Sequence, residues 1–176
     1  TLLLIVLLAF CYPLLIAGIG RLVPGRGKGV TVTLNGKVVG YALVGQKFTD
    51  DKFFQGRPSA VDYNAAGAAG SNKGPTNPGY LKLVQDRIDT FMVHNPGIQK
   101  SDIPAELVTA SGSGLDPDIS PAGAFIQVKR IAAFRHLPES EVNKLVVQHI
   151  QKPFLGLFGP EKVNVLILNV ALEQSQ

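Results

Sequence analysis

No aspartate or glutamate occurs before residue 50, tryptophan is absent, and cysteine and methionine occur once each in 176 residues. Each scarcity excludes something. With Cys11 as the only thiol, no intrachain disulfide can form, and the redox compartment is left open. The net charge of +4 is mild, and the aromatics are mostly scattered phenylalanines. A nucleic-acid binder would show a dense Lys/Arg face with aromatics interleaved, so no nucleic-acid partner is expected. Catalytic sets are missing too. Gly112-Ser113-Gly114 lacks the G-x-S-x-G spacing of a nucleophile elbow, and no His/Asp pair is placed to serve it. Gly27-Lys28 fails as a phosphate loop, because Leu22 stands at the first glycine position and Gly29 follows the lysine. Gly70-Ser71-Asn72-Lys73-Gly74 could form an anion-binding nest, though nothing requires one. His94, His136 and His149 have no metal-ligand spacing. Asp116-Pro117-Asp118 opens like a calcium loop, but Pro121 occupies the glycine place and Gln127 the closing glutamate place. Neither a catalytic nor a metal site is expected.

What is present begins with an apolar run. Residues 1–20 carry no charged side chain, and 16 of the 20 are apolar. About 20 helical residues cross a hydrocarbon core of ~30 Å, so residues 1–22 are expected to be a transmembrane anchor. Pro13 is tolerable inside such a helix. A cleaved signal peptide is the rival, but its apolar core is shorter, at ~7–15 residues. A lipoprotein would need a small residue before Cys11, where Phe10 stands. The chain starts at Thr1, so an upstream flank is expected to hold the charges that set orientation. Downstream, Arg21, Arg26, Lys28, Lys37 and Lys47 come with no acid before residue 50. Taken alone, that flank would place the following domain in the cytoplasm.

Residues 23–29 read as a flexible linker. Residues 30–176 read as one soluble domain, roughly 40% apolar and large enough to hold its own core. Asn35-Gly36 between two β-rich runs predicts a hairpin, with strands at 30–34 and 37–44. Residues 55–79 have no period and are rich in Gly, Pro, Asn, Ser and Ala; loops of that length inside a compact domain tend to be functional or disordered. A helix is expected at 79–94, with Leu81, Val84, Ile88, Phe91 and Met92 facing inward. A second special loop spans 107–121. Ser120 and Pro121 suit the start of a helix running to His136, with Phe125, Val128, Ile131 and Ala132 inward. Another helix should begin at Pro138, with Val142, Leu145, Val146, His149 and Ile150 on its apolar side. The continuous apolar run at 163–172 reads as a buried final strand. The class is α+β: a soluble domain with a mixed sheet and several helices behind one N-terminal transmembrane helix. Arg57, held extended by Pro58, is expected to tie the long loop to carbonyls or to contact a partner.

The loops carry a resemblance. Phe54-Gln55-Gly56-Arg57-Pro58-Ser59-Ala60, Tyr63-Asn64, Gly70-Ser71-Asn72 and Thr76-Asn77-Pro78 form one set. Pro104 to Asp116 (PAELVTASGSGLD), Ile119-Ser120-Pro121, Val163-Asn164-Val165 and Leu168-Asn169 form another. Together with Tyr12-Pro13-Leu14-Leu15 they resemble the C subunit of the bacterial Kdp potassium-transporting ATPase, over nearly the whole chain. The resemblance implies an accessory subunit of a high-affinity, ATP-driven potassium uptake complex, not an enzyme on its own. Its role would be assembly and stability of the pump, with a contribution to potassium entry. The implied partners are a channel-like potassium-binding subunit, an ATP-hydrolysing P-type subunit and a small membrane subunit. No cofactor is expected to be firmly bound; ATP belongs to the complex. The implied location is the bacterial plasma membrane, single-pass, with the soluble domain outside the cytoplasm, against the basic flank. The alternative is a catalytic chaperone that raises ATP affinity, with Ser111, Gly112, Ser113, Gly114 and Gln127 as nucleotide-binding residues. If the domain lies outside, Gln127 instead satisfies a loop. Arg57, Asn64, Ser71, Asn72, Asn77 and Asp116 are then expected to structure the loops or meet a partner.

Overall fold

The computed structural model describes residues 1–175. The chain packs as two compact units, Thr1–Leu43 and Val44 onward.

The first unit holds a helix and a hairpin. Helix α1, Leu2–Gly20, is long and apolar enough to cross a membrane. Its turn over Leu7–Cys11 is widened, and the Tyr12 N–H reaches back five residues to the Leu7 carbonyl. Pro13 follows at once; lacking an N–H, it cannot donate to the carbonyl four residues earlier. Strands β1 (Thr31–Leu34) and β2 (Lys37–Tyr41) pair antiparallel, with a bulge after Val32. Asn35 and Gly36 both take positive φ, 51° and 76°, the turn that matches hairpin twist. By its contacts the hairpin groups with α1.

The second unit is built on α2 (Pro78–His94), a two-residue strand β3 (Asp118–Ile119), α3 (Pro121–Phe125), α4 (Val128–Arg135), α5 (Glu139–His149), β4 (Ile150–Gln151), β5 (Lys162–Asn164) and α6 (Val165–Gln174). The strands form a small sheet in the order β3-β5-β4. The α+β class holds, but both of its pairings, like that of the hairpin, are antiparallel, where a mixed sheet was expected. Short strands joined through loops and helix ends need no parallel crossover. The core gathers Phe54, Phe91, Ile131, Val142, Val146, Val163, Leu168 and Leu172.

Three expectations are corrected. The 163–172 run is a strand only to Asn164; there the Asn164 side chain accepts the Ile167 N–H at 3.0 Å and starts α6. A continuous apolar run of this length does not distinguish strand from helix, and the cap decides. The 121–136 helix is broken at Ile126 and Gln127, where the Gln127 N–H bonds Ala124, three residues back. Leu81 and Phe125, placed inward by periodicity, remain 52% and 38% exposed. Leu81 lies in the first turn of α2, and Phe125 at the break that resets the helical phase.

Candidate functional site

The long loop begins from an extended segment that has no sheet to pair with. Side chains pair with it instead. The Phe54 N–H donates to Asn169 Oδ1 at 2.8 Å, and Asn169 Nδ2 donates to the Phe54 carbonyl at 2.9 Å. One residue on, the Gln55 N–H donates to Gln127 Oε1 at 2.8 Å, and Gln127 Nε2 donates to the Gln55 carbonyl at 3.1 Å. Each carboxamide thus supplies one donor and one acceptor, as a neighbouring strand would. Arg130 Nη1 donates to the carbonyls of Asp51 and Phe53, and Arg135 Nε donates to that of Lys52 at 2.8 Å. Every carbonyl from residue 51 to 55 therefore meets a side chain of α4, α6 or the Gln127 turn.

These clamps are buried and tied together. Gln127 is fully buried, and its Nε2 also donates to the Gly123 carbonyl at 2.9 Å. Arg130 Nη2 donates to Gln127 Oε1 at 2.8 Å, and Arg130 Nε donates to Asn95 Oδ1 at 3.0 Å. Burial pulls the Arg130 guanidinium down to about 10, partly offset by Asp51 and Asp50. It stays charged at neutral pH. Arg135 pairs with Glu173.

Beyond Gln55 the loop turns back on the 107–121 loop. Arg57 Nη1 meets Asp116 Oδ2 at 3.0 Å, each side chain about a quarter exposed. The Ser111 N–H donates to the Pro58 carbonyl at 3.0 Å. Ser59 Oγ accepts from the N–H groups of Val61 and Tyr63, and the Tyr63 hydroxyl donates to the Arg57 carbonyl. Burial first, and then Asp116, pushes the Tyr63 hydroxyl up to about 12, so it remains a donor. Glycine is required where the loops touch. A Cβ on Gly114, at φ +71°, would stand 2.6 Å from Val61 Cγ2 and 2.8 Å from the Ala69 carbonyl. One on Gly70 would stand 2.9 Å from the Gly112 carbonyl.

The remaining loop residues act locally. Ser111, 2% exposed, accepts the Gly114 N–H at 2.9 Å; Ser113 and Gly112 are exposed, and Ser113 Oγ accepts the Leu115 N–H. Asn64 caps a short 3-10 turn, and Asn77 caps α2 by accepting the Tyr80 N–H at 3.0 Å. Asn72 is exposed at φ +52°, and Ser71 is half-buried. Arg57 and Asp116 are thus brought together, as are Ser111 and the 57–63 loop. Gln127 engages Gln55, Gly123 and Arg130 instead. Sequence reasoning missed Arg130, Arg135 and Asn95, and quoted Asn169 without assigning it a role. The signal for Arg130, Arg135 and Asn169 is being polar yet buried on α4 and α6; Asn95 ends α2 as its C-cap.

Between the 47–63 stretch and α2 lies a groove of about 390 Å³, bordered by Lys47, Arg57, Tyr63, Asp86, Arg87 and His94 among others. Arg87 donates to the Val108 carbonyl at 3.1 Å, and its guanidinium is lowered by burial. His94 Nδ1 meets Asp51 at 2.9 Å. Among the described residues, no group of three or more His, Cys, Asp or Glu could hold a metal ion.

The family profile described as KdpC: K+-transporting ATPase, c chain, matches residues 1–174. The Potassium-transporting ATPase KdpC subunit of Flavobacterium johnsoniae is 61% identical over 170 residues, 97% of this chain and 91% of the relative. The proteins of the same name from Bacteroides fragilis and Caldanaerobacter subterraneus are 58% identical over 153 residues and 50% over 173. Those alignments cover 86% and 98% of this chain, and 80% and 90% of the relatives.

Proposed function

Because the chain belongs to the KdpC family, the c chain of K+-transporting ATPases, we propose that it is a non-catalytic, single-pass subunit that assembles and stabilises a potassium uptake complex. Helix α1 anchors it in the bacterial plasma membrane, and the second unit stands outside the cytoplasm beside the potassium entrance. Its partners there are the channel-like potassium-binding subunit, the ATP-hydrolysing subunit and the small membrane subunit.

The observation that carries this reading is the use made of the polar side chains. Gln127, Arg130, Asn169, Ser111 and Asp116 are spent on holding backbone and one another. Such a set fixes the shape of two long loops and favours a rigid docking surface over a chemical site. The competing reading is a catalytic chaperone that binds nucleotide through residues 111–114 and Gln127. It would need Gln127 to exchange bonds to Gln55, Gly123 and Arg130 for bonds to a ligand, at the cost of leaving buried groups unpaired.

Protease digestion of intact spheroplasts and of inverted vesicles, probed for the second unit, tests the placement. Loss of the unit in spheroplasts alone is the expected result. Loss in inverted vesicles alone would overturn the placement and return nucleotide binding to first place.

A further inference from the structure

Four large apolar side chains crowd one turn of the second unit, and none of them reaches the core. Phe154, Leu155, Leu157 and Phe158 are 72%, 74%, 81% and 66% exposed. The turn is nevertheless ordered by its own backbone. Phe154 and Phe158 exchange N–H···O bonds in both directions at 3.0 Å, and their rings lie 6.5 Å apart. Leu155, Gly156 and Gly159 take positive φ, of 54°, 72° and 92°. A leucine in the left-handed region is uncommon, so the chain holds this tip against local preference.

The size of the patch bears on its occupant. Four such side chains, exposed to this degree, present on the order of 500 Å² of apolar surface, near the top of the range for the largest patch on a monomer. That is more than half of the ~800 Å² which each partner contributes to a standard interface. Two copies meeting through this tip alone would bury only about 1,000 Å² in total, below the ~1,200–2,000 Å² of a stable interface. Lipid fits less well. Among the described residues, the Leu155 N–H and the carbonyls of Leu155, Gly156 and Leu157 make no hydrogen bond. Hydrocarbon cannot satisfy them, whereas a protein rim can. Exposed charges, Lys152 and Glu161, stand on either side.

We propose that the 153–159 turn is an anchoring tip that inserts into an apolar recess, rimmed by hydrogen-bond donors and an acceptor, on another subunit of the ATPase complex. This rests on the reading of the chain as a complex subunit, and it names the surface that reading leaves open.

The test uses the full complex in native membranes. Leu157→Asp, at an exposed site, is expected to cut recovery of the other subunits by about tenfold or more, as loss of an interface anchor does. The melting temperature of the isolated full chain should stay within about a degree, as for an ordinary surface substitution. Benzoylphenylalanine placed at position 157 should cross-link, on illumination, to one ATPase subunit identified by mass spectrometry. Adducts confined to lipid, or to a second copy of this chain, would overturn the proposal, as would undiminished recovery of the complex. If the wild-type chain recovers no other subunit, the reading beneath the proposal fails with it.

Discussion

The two units hold their shapes by different means. No residue of Thr1–Leu43 is fully buried: α1 is exposed from Leu2 to Ile19, and the hairpin half-covers only one face, at Val32 and Leu34. The hairpin is joined by the hydrogen bonds of its own two strands, and a two-stranded ribbon is marginal in water on that basis. From Val44 onward the chain closes around its own core and adds buried polar clamps. On the proposed reading, the first unit is completed by its surroundings, with lipid around α1. The second unit brings its own interior.

The contrast can be broken most severely at Arg130, whose side chain is 1% exposed. Arg130→Ala strips bonds from the carbonyls of Asp51 and Phe53 and leaves Asp51 short of a partner. A loss of about 3–5 kcal/mol is expected for the second unit, read by denaturant unfolding of the full chain in detergent. A matched pair of glycines sharpens the comparison. Gly114→Ala meets both a positive φ and close atoms, and should cost about 1–3 kcal/mol. Gly36→Ala also has positive φ but open space around it, and lies outside the core. It should loosen the hairpin in hydrogen exchange and leave the unfolding midpoint of the second unit in place. Equal effects from the two glycines would mean that the units are not separate in energy.

Arg57→Ala comes next. Its ion pair with Asp116 is partly exposed, and its buried Nε has no hydrogen-bond partner. Removing it should change stability by about 1 kcal/mol or less. A fall in co-purification with the other subunits at that small cost marks Arg57 as a partner contact; unchanged co-purification confines it to the loop.

A further effect, confined to alkaline pH, is expected at Tyr63. Its hydroxyl titrates at about 12 in the folded protein, against 10 for the free side chain. The unfolded chain loses that proton first. The stabilisation is therefore complete below pH 10 and disappears as the pH rises from 10 to about 12. The gap in melting temperature between the wild-type chain and Tyr63→Phe should narrow over that window. Tyr63→Phe should also remove the late phase of the 295 nm absorbance titration.

Much of this was legible because its causes are local. Asn35-Gly36 announces the hairpin, Asn77-Pro78 and Ser120-Pro121 announce helix starts, and the absence of charge announces α1. The end of the chain was not, because an apolar run of that length suits a strand or a helix, and one Asn164 side-chain bond chooses between them. The loop contacts lie further beyond reach. Arg57 and Asp116 are 59 residues apart, Gln55 and Gln127 are 72, and Phe54 and Asn169 are 115. No periodicity joins such pairs; the tertiary packing of the two loops, the Gln127 turn and α6 does.

The carboxamide clamps set a limit on substitution. Position 127 and position 169 must each offer a donor and an acceptor at once. A carboxylate of the same shape would keep the bond from the N–H and repel the carbonyl beside it. An aliphatic side chain would fill the space and abandon both. Asparagine and glutamine carry the needed N–H donor and carbonyl acceptor side by side on one flat carboxamide head, and their lengths are not interchangeable. At these two positions the alphabet available to the chain shrinks nearly to a single letter.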